Sequence, residues 1–581
     1  MTDATSQERR DPTQGVPDWD TAISRLTGPG GPFEIGEIEI DGRPTRAFLN
    51  APPSLRALFD TARSRGDQTF LVYEDETWSF DDVMAKVDAI AAALVEHCGV
   101  APGDRVAIAM RNYPEWIASF AAITSVGGIA VCLNAWWTTE EVEYGLRDSG
   151  TRVLIADTER VARAAPVLGP LGVRALVVRP EGDLPEHAEA LESVITPDAA
   201  MPAVEITPDM DATILYTSGT TGHPKGAVST HRAVLSALTS FALRSMVNAV
   251  VNPPKEPHPY PTCFILVVPL FHVTGLVPVM LSCFAAGYKL VMMYKWSPER
   301  ALELIERERV TRFVGVPTMT FDLLESPDFP RRDTSSLASV GGGGAPAPPE
   351  LVQRVERSFQ RGRPGIGYGM TETNAFGPQN SGDDYLRKPR STGRVVPPVE
   401  MRVTDEAGNV LPPGATGELW FRGPNLIRGY WNRPEATAET IVDGWLRSGD
   451  IGRIDEEGFV FVEDRAKDMV LRGGENVYCA EVEAAIYEHP DVHEAAVYGI
   501  PHPRLGEEVA CAVVPKRGRT LTAKALAEHL RPHLAVFKIP TVIDIHEAPL
   551  PRNASGKILK RDLRDEVGER EGRTRDPAPG S

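Results

Sequence analysis

One stretch restricts this chain more than any other: Tyr216-Thr-Ser-Gly-Thr-Thr-Gly-His-Pro-Lys-Gly226. It follows a strand-like apolar run at 212–217 and precedes a helix-like run from Thr230. A turn of this kind can wrap phosphate groups with backbone N–H donors and with the hydroxyls of Thr217, Ser218, Thr220 and Thr221. Gly219 and Gly222 let the backbone approach closely, and Lys225 adds positive charge. It is not a Walker A loop, because the lysine precedes the last glycine and no Gly-Lys-Ser/Thr follows.

The surrounding sequence alternates apolar strand candidates (106–110, 152–156, 212–217, 312–316) with helical runs. One helix is expected at 298–308, with Ser297 as its cap and Pro298 in the first position. Another begins at Ser79, where Asp81 and Asp82 favour the positive helix end and Val83, Val87, Ile90 and Leu94 recur at helical spacing. Such alternation implies parallel α/β sheets. Between about 395 and 465 short strand candidates (401–403, 417–421, 458–462) sit among Gly/Pro turns, which suggests a small β-rich subdomain or barrel. A separate α+β unit is expected after Arg465. Residues 1–50 read as a loosely packed extension and residues 567–581 as a polar tail.

Composition narrows the function. A chain of 581 residues has room for a large core without disulfide or metal staples. The hydrophobic share of 42% and charged share of 24% are ordinary for a globular protein. A net charge of −19 opposes nonspecific binding to nucleic acid or anionic membrane, so any polyanionic ligand must meet a local cluster of Lys and Arg. Six scattered cysteines (98, 132, 263, 283, 479, 511) lack a C-x-x-C pair and read as buried thiols. The polar N-terminus has no signal-peptide core, and the greasiest run, 273–288, is too short to span a bilayer. A cytoplasmic protein without an integral membrane segment is expected.

The 216–226 stretch and eight further motifs, in order, resemble the adenylate-forming superfamily of acyl-CoA synthetases, amino-acid adenylation domains and firefly-type luciferases over about residues 55–565. The further motifs are Pro269-Leu-Phe-His-Val-Thr-Gly275, Gly343-Gly-Ala-Pro346, Gly367-Tyr-Gly-Met-Thr-Glu-Thr373, Gly417-Glu-Leu-Trp-Phe-Arg-Gly423, Gly444-Trp-Leu-Arg-Ser-Gly-Asp450, Asp464-Arg465, Arg472-Gly-Gly-Glu-Asn476 and Pro551-Arg-Asn-Ala-Ser-Gly-Lys557. The resemblance implies an α/β fold: a large N-terminal domain of parallel α/β sheets with a small β-rich subdomain (51–464), a hinge at 465–468 with Lys467 as its pivot, and a small mobile α+β C-terminal domain (469–566).

It also implies that ATP and a carboxylic acid form an acyl-adenylate and pyrophosphate, after which the acyl group passes to the thiol of coenzyme A. Carboxylate attack on a phosphate brings two anions together, so cations and donors must be positioned for it. By resemblance Glu372 holds Mg2+. Tyr368 lies against adenine, with Gly344, Ala345, Pro346, Gly369, Met370 and Thr371 in the same slot. Asp450 accepts the ribose hydroxyls with help from Arg465. Lys557 is the adenylation lysine, with Thr220, Lys225 and His272 as further catalytic candidates. Gly473 and Gly474 leave room for the pantetheine arm.

By resemblance the acyl pocket comprises His272, Val273, Thr274, Gly275, Val316, Gly341, Gly342 and Gly343, residues mostly apolar or without a side chain, which favours a medium- to long-chain fatty acid. Aryl or cinnamic-type acids and steroid-derived acids are alternatives. An α-amino acid is disfavoured, because His272 follows Phe271 where amino-acid-activating relatives carry an Asp. Transfer to a carrier protein, a luciferase-like oxygenase and a non-catalytic binder stay open as other classes. No nucleic-acid partner is expected, and a homodimer is left open.

Overall fold

The computed structural model describes residues 17–217, 224–254, 256–465, 468–473, 475–553 and 556–570. Two eight-stranded sheets carry the large domain. The first runs in the order Gly429–Tyr430, Lys225–Thr230, Asp211–Thr217, Ile129–Cys132, Arg105–Ala109, Val153–Asp157, Arg174–Val178 and Ala188–Ala190, parallel from Asp211–Thr217 onward. The second runs Gln379–Ser381, Arg363–Gly367, Ser339–Gly343, Arg312–Gly315, Cys263–Leu266, Lys289–Met292, Thr69–Tyr73 and Glu76–Ser79, with antiparallel pairs only at its two edges.

Between the sheets lies the helix Pro114–Ser125, every residue of which is buried. A helix buried on every side must have its polar groups paired: Glu115 meets Arg179 at 2.9 Å, while Trp116 and Phe120 fill the interior of a core shared by both sheets. The helix Phe80–Glu96 starts in a capping box of Ser79 and Asp82, and Pro298–Glu308 starts from a Ser297 cap, both as the sequence implies.

A third, five-stranded sheet (Glu400–Thr404, Gly417–Arg422, Ile441–Val442, Trp445–Ile454, Val460–Arg465) is the β-rich unit, open rather than closed into a barrel. The C-terminal unit is another five-stranded sheet built on the long hairpin Val492–His502 and Gly506–Pro515, with its own apolar cores on its two faces.

Two boundary readings change. Residues 17–50 are folded: helix Trp19–Thr27 and the hairpin Ile35–Ile40/Arg43–Phe48 pack on the large domain, with Trp19 under Arg244 and Arg394 at 4.7 and 4.1 Å. The helix buries only Ala22 fully, which is why periodicity did not reveal it. At the other end helix Lys560–Arg570 runs through 567–570, with Val567 buried, so no polar tail begins there.

The apolar run at 273–288 folds as Gly275–Leu281 and Ser282–Ala286 inside the core. Helix His231–Val251 is, among the described residues, long and apolar enough to cross a membrane, and half of its apolar window is buried inside the protein. Ser236, Ser240 and Arg244 are buried polar residues on it.

Candidate active site

The phosphate-loop segment joins the antiparallel strands Asp211–Thr217 and Lys225–Thr230, with Thr217 opposite Lys225. Ser218, Gly219, Thr220, Thr221 and Gly222 lie outside the described residues. The base of the loop is fixed by the Tyr216 hydroxyl, which donates to Asp148 at 2.9 Å, and by Tyr144, which donates to the Pro224 carbonyl at 2.8 Å. Lys225 Nζ sits 5.0 Å from the centre of the Tyr430 ring.

Tyr430 also reaches the second element of the site. Strand Arg363–Gly367 runs into Tyr368 and the turn Thr371–Thr373. Here Glu372 is 7% exposed and accepts the Tyr430 hydroxyl at 2.7 Å. Burial pushes the Glu372 carboxyl up, while the Tyr430 hydrogen bond and the Arg465 charge act against that. The turn is pinned from beneath by Asn374, in left-handed conformation at φ 51°. It accepts from Ser229 Oγ at 3.0 Å and donates to the Asn425 carbonyl at 3.0 Å, and Asn425 donates back to the Thr373 carbonyl at 2.9 Å.

Asp450 and Arg465 are register partners in the third sheet, with Nε–Oδ1 at 3.6 Å. The Tyr368 hydroxyl donates to Asp450 Oδ2 at 2.5 Å, and the ring packs against Phe421. Burial raises the Asp450 carboxyl, opposed by Arg465, Tyr368 and Lys557.

Lys557 arrives from the C-terminal unit on a tight loop. The Lys557 N–H donates to Asn553 Oδ1 at 2.9 Å, and the Asn553 N–H donates to the Lys557 carbonyl at 2.8 Å. Gly556 has φ 84°, and a Cβ there would lie 3.1 Å from Val316 Cγ2, so the loop touches the large domain where a side chain would strain it. Burial, then the Arg465 charge, lowers Lys557 to about 8; Asp468 and Asp450 act in the opposite sense. Lys557 in turn helps burial hold the half-buried His272 down to about 4. His272 Nδ1 accepts the Thr274 N–H at 3.2 Å, which leaves the ring proton on Nε2.

This placement is held by contacts between the two units. His493 Nδ1 lies 2.6 Å from Glu325, whose other oxygen takes Arg354 at 3.1 Å. Phe321 stacks on Tyr487 with centroids 5.8 Å apart, and Arg552 meets Glu494 at 2.8 Å within the small domain.

The structure thus groups Thr217, Lys225, Tyr368, Glu372, Asp450, Arg465, His272 and Lys557 around one region, with Gly369, Met370 and Thr371 in the turn that carries Glu372. Gly344, Ala345 and Pro346 follow strand Ser339–Gly343. The acyl set divides. Gly341 and Gly342 line a small apolar pocket of about 20 Å3 with Pro317, Thr320, Leu351 and Val355, whereas Val273 and Gly275 are buried in the core. Gly342 and Gly343 are forced by packing: a Cβ would lie 2.3 Å from the Gly315 carbonyl oxygen or 2.8 Å from that of Gly367. Gly473 sits at φ 61° in the turn just after strand Val470–Arg472, its N–H donating to the Leu505 carbonyl at 2.7 Å. Gly474 and Lys467 lie outside the described residues.

Tyr430 escaped the sequence reading, since a Gly-Tyr pair between turns carries no periodic signal. So did Asn374 and Asn425, which act only through each other, and Asp464, which accepts the N–H groups of Arg465 and Cys479 where the two units join and is raised to about 6 by burial.

Residues 58–431 match the family model described as AMP-binding enzyme, and 481–557 match that of the AMP-binding enzyme C-terminal domain. The chain is 32% identical over 545 residues to a long-chain-fatty-acid–CoA ligase of Bacillus subtilis, covering 88% of this chain and 94% of that one. It is 35% identical to feruloyl-CoA synthase from an Amycolatopsis species, covering 81% and 90%. The o-succinylbenzoate CoA synthetase of Bacillus subtilis, solved with its acyl-adenylate intermediate, superposes with a TM-score of 0.75 at 30% identity, covering 89% and 99%.

Proposed function

The chain belongs to the AMP-binding enzymes as an ATP-dependent acyl-CoA ligase, and we propose that its acid is a medium- to long-chain fatty acid activated by the residues assembled above. In the first step a carboxylate oxygen attacks the α-phosphorus of ATP, the bond to the β-phosphate bridging oxygen breaks, and pyrophosphate leaves. In the second the thiol sulfur of coenzyme A attacks the acyl carbon, AMP departs with the bonding electrons, and the thiol proton is lost.

The observation that carries this reading is the Lys557 loop, inserted from the small domain beside Asp450, Arg465 and His272. Among the described residues Lys557 forms no ion pair, so its ammonium is available to charge that develops between carboxylate and α-phosphate. Asp450, backed by Tyr368 and Arg465, is suited to accept ribose hydroxyls. His272 is neutral at pH 7 and presents an Nε2–H donor, suited to orient the acyl group without adding charge. Lys225 supplies a cation at the mouth of the phosphate loop.

Glu372 is the residue that would hold magnesium. A single buried carboxylate fits an ion that binds through one or two carboxylates plus nucleotide phosphates. When bound, the ion offsets phosphate charge.

The hinge at 465–468 and a rotation that withdraws Lys557 and presents Gly473-Gly474 complete the proposal, as does a cytoplasmic location. The fatty-acid preference is supported by the apolar lining of the pocket at Gly341 and Gly342, which includes no charged side chain, and by the Bacillus relative. The feruloyl-CoA synthase relative supports an aryl acid as the second reading. Pyrophosphate release across fatty, aryl and amino acids, with and without coenzyme A, tests both. Turnover peaking at C8–C18 acids and dependent on coenzyme A is expected; a peak at acetate or at hydroxycinnamates would overturn the fatty-acid assignment.

A further inference from the structure

The adenylation proposed for this chain needs an ammonium free to meet carboxylate and α-phosphate, so Lys557 carries no counter-ion of its own among the described residues. A lysine stem is flexible, and with no ion pair at its tip the ammonium is placed from the backbone of its loop. That backbone has a brace. Arg552 Nη1 donates to the Gly556 carbonyl at 2.7 Å, the peptide group that leads into Lys557. Its Nη2 meets Glu494 Oε1 at 2.8 Å, and Glu494 Oε2 accepts the Leu550 N–H at 2.9 Å. One carboxylate thus holds the entry of the loop directly and its far end through Arg552. The two limbs are closed by the Leu559 N–H on the Pro551 carbonyl at 2.8 Å and by a bridge between Arg552 and Ile558. Glu494 is 5% exposed, and a charge that deep is tolerated only with its partners fixed.

The strand that carries Glu494 is itself seated on the large domain. In the hairpin Val492–His502/Gly506–Pro515 the register shifts between Val492 and Glu494, a bulge whose extra residue is His493. Bulges re-aim side chains, and here two consecutive residues serve one purpose. His493 Nδ1 lies 2.6 Å from Glu325 of the large domain, and its Nε2 lies 3.8 Å from Glu494 Oε1. At the other end of the brace a Cβ on Gly556 would stand 3.1 Å from Val316 and 3.8 Å from Met319, both of the large domain. The brace begins on a docked strand and ends one residue from the ammonium.

We propose that Glu494 and Arg552 are positioning residues for adenylation, acting through the loop that carries Lys557 and not on ATP or the acid. The two terminal nitrogens of Arg552 are engaged within its own domain, which distinguishes it from Lys557. The inference rests on the acyl-CoA ligase reading and adds to it the pair that aims its lysine. A reacting group misplaced by about 1 Å costs on the order of 100-fold in rate. A loop released at the Gly556 carbonyl should therefore lose turnover while substrate affinity stays in place.

The test compares wild type, Arg552→Gln, Arg552→Lys, Glu494→Gln and the double variant Arg552→Gln/Glu494→Gln as full-length enzyme, with Arg552→Gln also made in a Lys557→Ala background. Acid-dependent exchange of pyrophosphate into ATP reads adenylation, and thioester formation from supplied acyl-adenylate reads the second step. Arg552→Gln is expected to lower kcat for exchange roughly 10- to 100-fold, with KM for ATP and for the acid within about three-fold and the second step near wild type. Arg552→Lys keeps one of the two contacts and should recover part of the rate. The double variant should lose about as much as the worse single one, because the pair works as a unit. In Lys557→Ala the Arg552→Gln penalty should vanish, since no ammonium is left to aim. Thermal melting and the second half-reaction keep the outcome readable where a variant loses stability. An unchanged exchange rate, an equal loss in both half-reactions, a rise in KM for ATP in place of the fall in kcat, or a full penalty in the Lys557→Ala background would overturn the proposal. Wild-type enzyme that shows no exchange with any carboxylic acid would instead refute the ligase reading.

Discussion

Replacing Lys557 by Met should cripple adenylation and stabilise the protein at once. Burial and Arg465 hold Lys557 at about 8 against an ordinary 10.5. At about 1.36 kcal/mol per pH unit that difference is worth roughly 3 kcal/mol, an upper bound on what charging the ammonium costs the ligand-free fold. The sign follows from proton counting. Below about pH 8 folded and unfolded chains both carry the charge, so the whole penalty is present. Between about 8 and 10.5 the folded chain sheds the proton while the unfolded chain keeps it, and the penalty is relieved. Lys557→Met should therefore melt about 2–3 °C above wild type at pH 7, at roughly 1 °C per kcal/mol for a chain of 581 residues, and the gap should close as pH approaches 10. In the same variant pyrophosphate exchange should fall about 100- to 1,000-fold, the loss typical of one oriented charge donor, while thioester formation from supplied acyl-adenylate persists. Scanning fluorimetry at pH 7 and pH 10 and the two half-reactions measured separately read this out. A variant less stable at pH 7, a gap independent of pH, or equal loss of both half-reactions would refute the reasoning.

Asp450→Asn should raise KM for ATP about 10-fold or more, since hydrogen bonds to a charged acceptor are worth about 1.5–3 kcal/mol, with little effect on KM for the acid. Tyr430→Phe removes a donor that counters burial at Glu372, so the carboxyl should rise further and activity should be lost at a higher pH on the acid side; a magnesium titration should shift to higher concentration. In Glu325→Gln the contact with His493 is lost. Glu325 raises that imidazole, so the ion pair contributes fully below about 6.5 and fades as pH rises through the elevated value. Adenylation should accordingly suffer more at pH 6 than at pH 8.5, and an equal deficit at both would argue against the contact.

The candidate residue types stand out in the sequence because the adenylation proposed for this chain demands them in local runs. A loop of glycine, threonine and lysine, a carboxylate in Tyr368–Thr373 and a lysine after Gly556 each announce themselves within a few residues. The parallel sheets were legible from buried strands that read as unbroken apolar runs at 106–110 and 152–156. What stayed hidden depends on pairs distant in sequence. Tyr430 matters only because it meets Glu372, and Asn374 only because Ser229 and Asn425 converge on it. The residues proposed for the acyl pocket separate only in three dimensions, because Gly275 and Gly341 look alike in sequence, while packing puts one in the core and the other on a pocket wall.

The glycines of strand Ser339–Gly343 also bear on how the acid preference of such a scaffold drifts over evolutionary time. Gly342 and Gly343 face neighbouring carbonyl oxygens so closely that no side chain fits, whatever the substrate. That wall cannot be remodelled one mutation at a time. The opposite wall is helix Pro349–Ser358, whose Leu351, Val352 and Val355 reach the cavity on side chains that tolerate exchange for others of similar volume. On the proposed acyl assignment, selection for a longer, shorter or aromatic acid has one flexible side to work on, and changes in substrate range should accumulate on that helix while the glycine strand stands still.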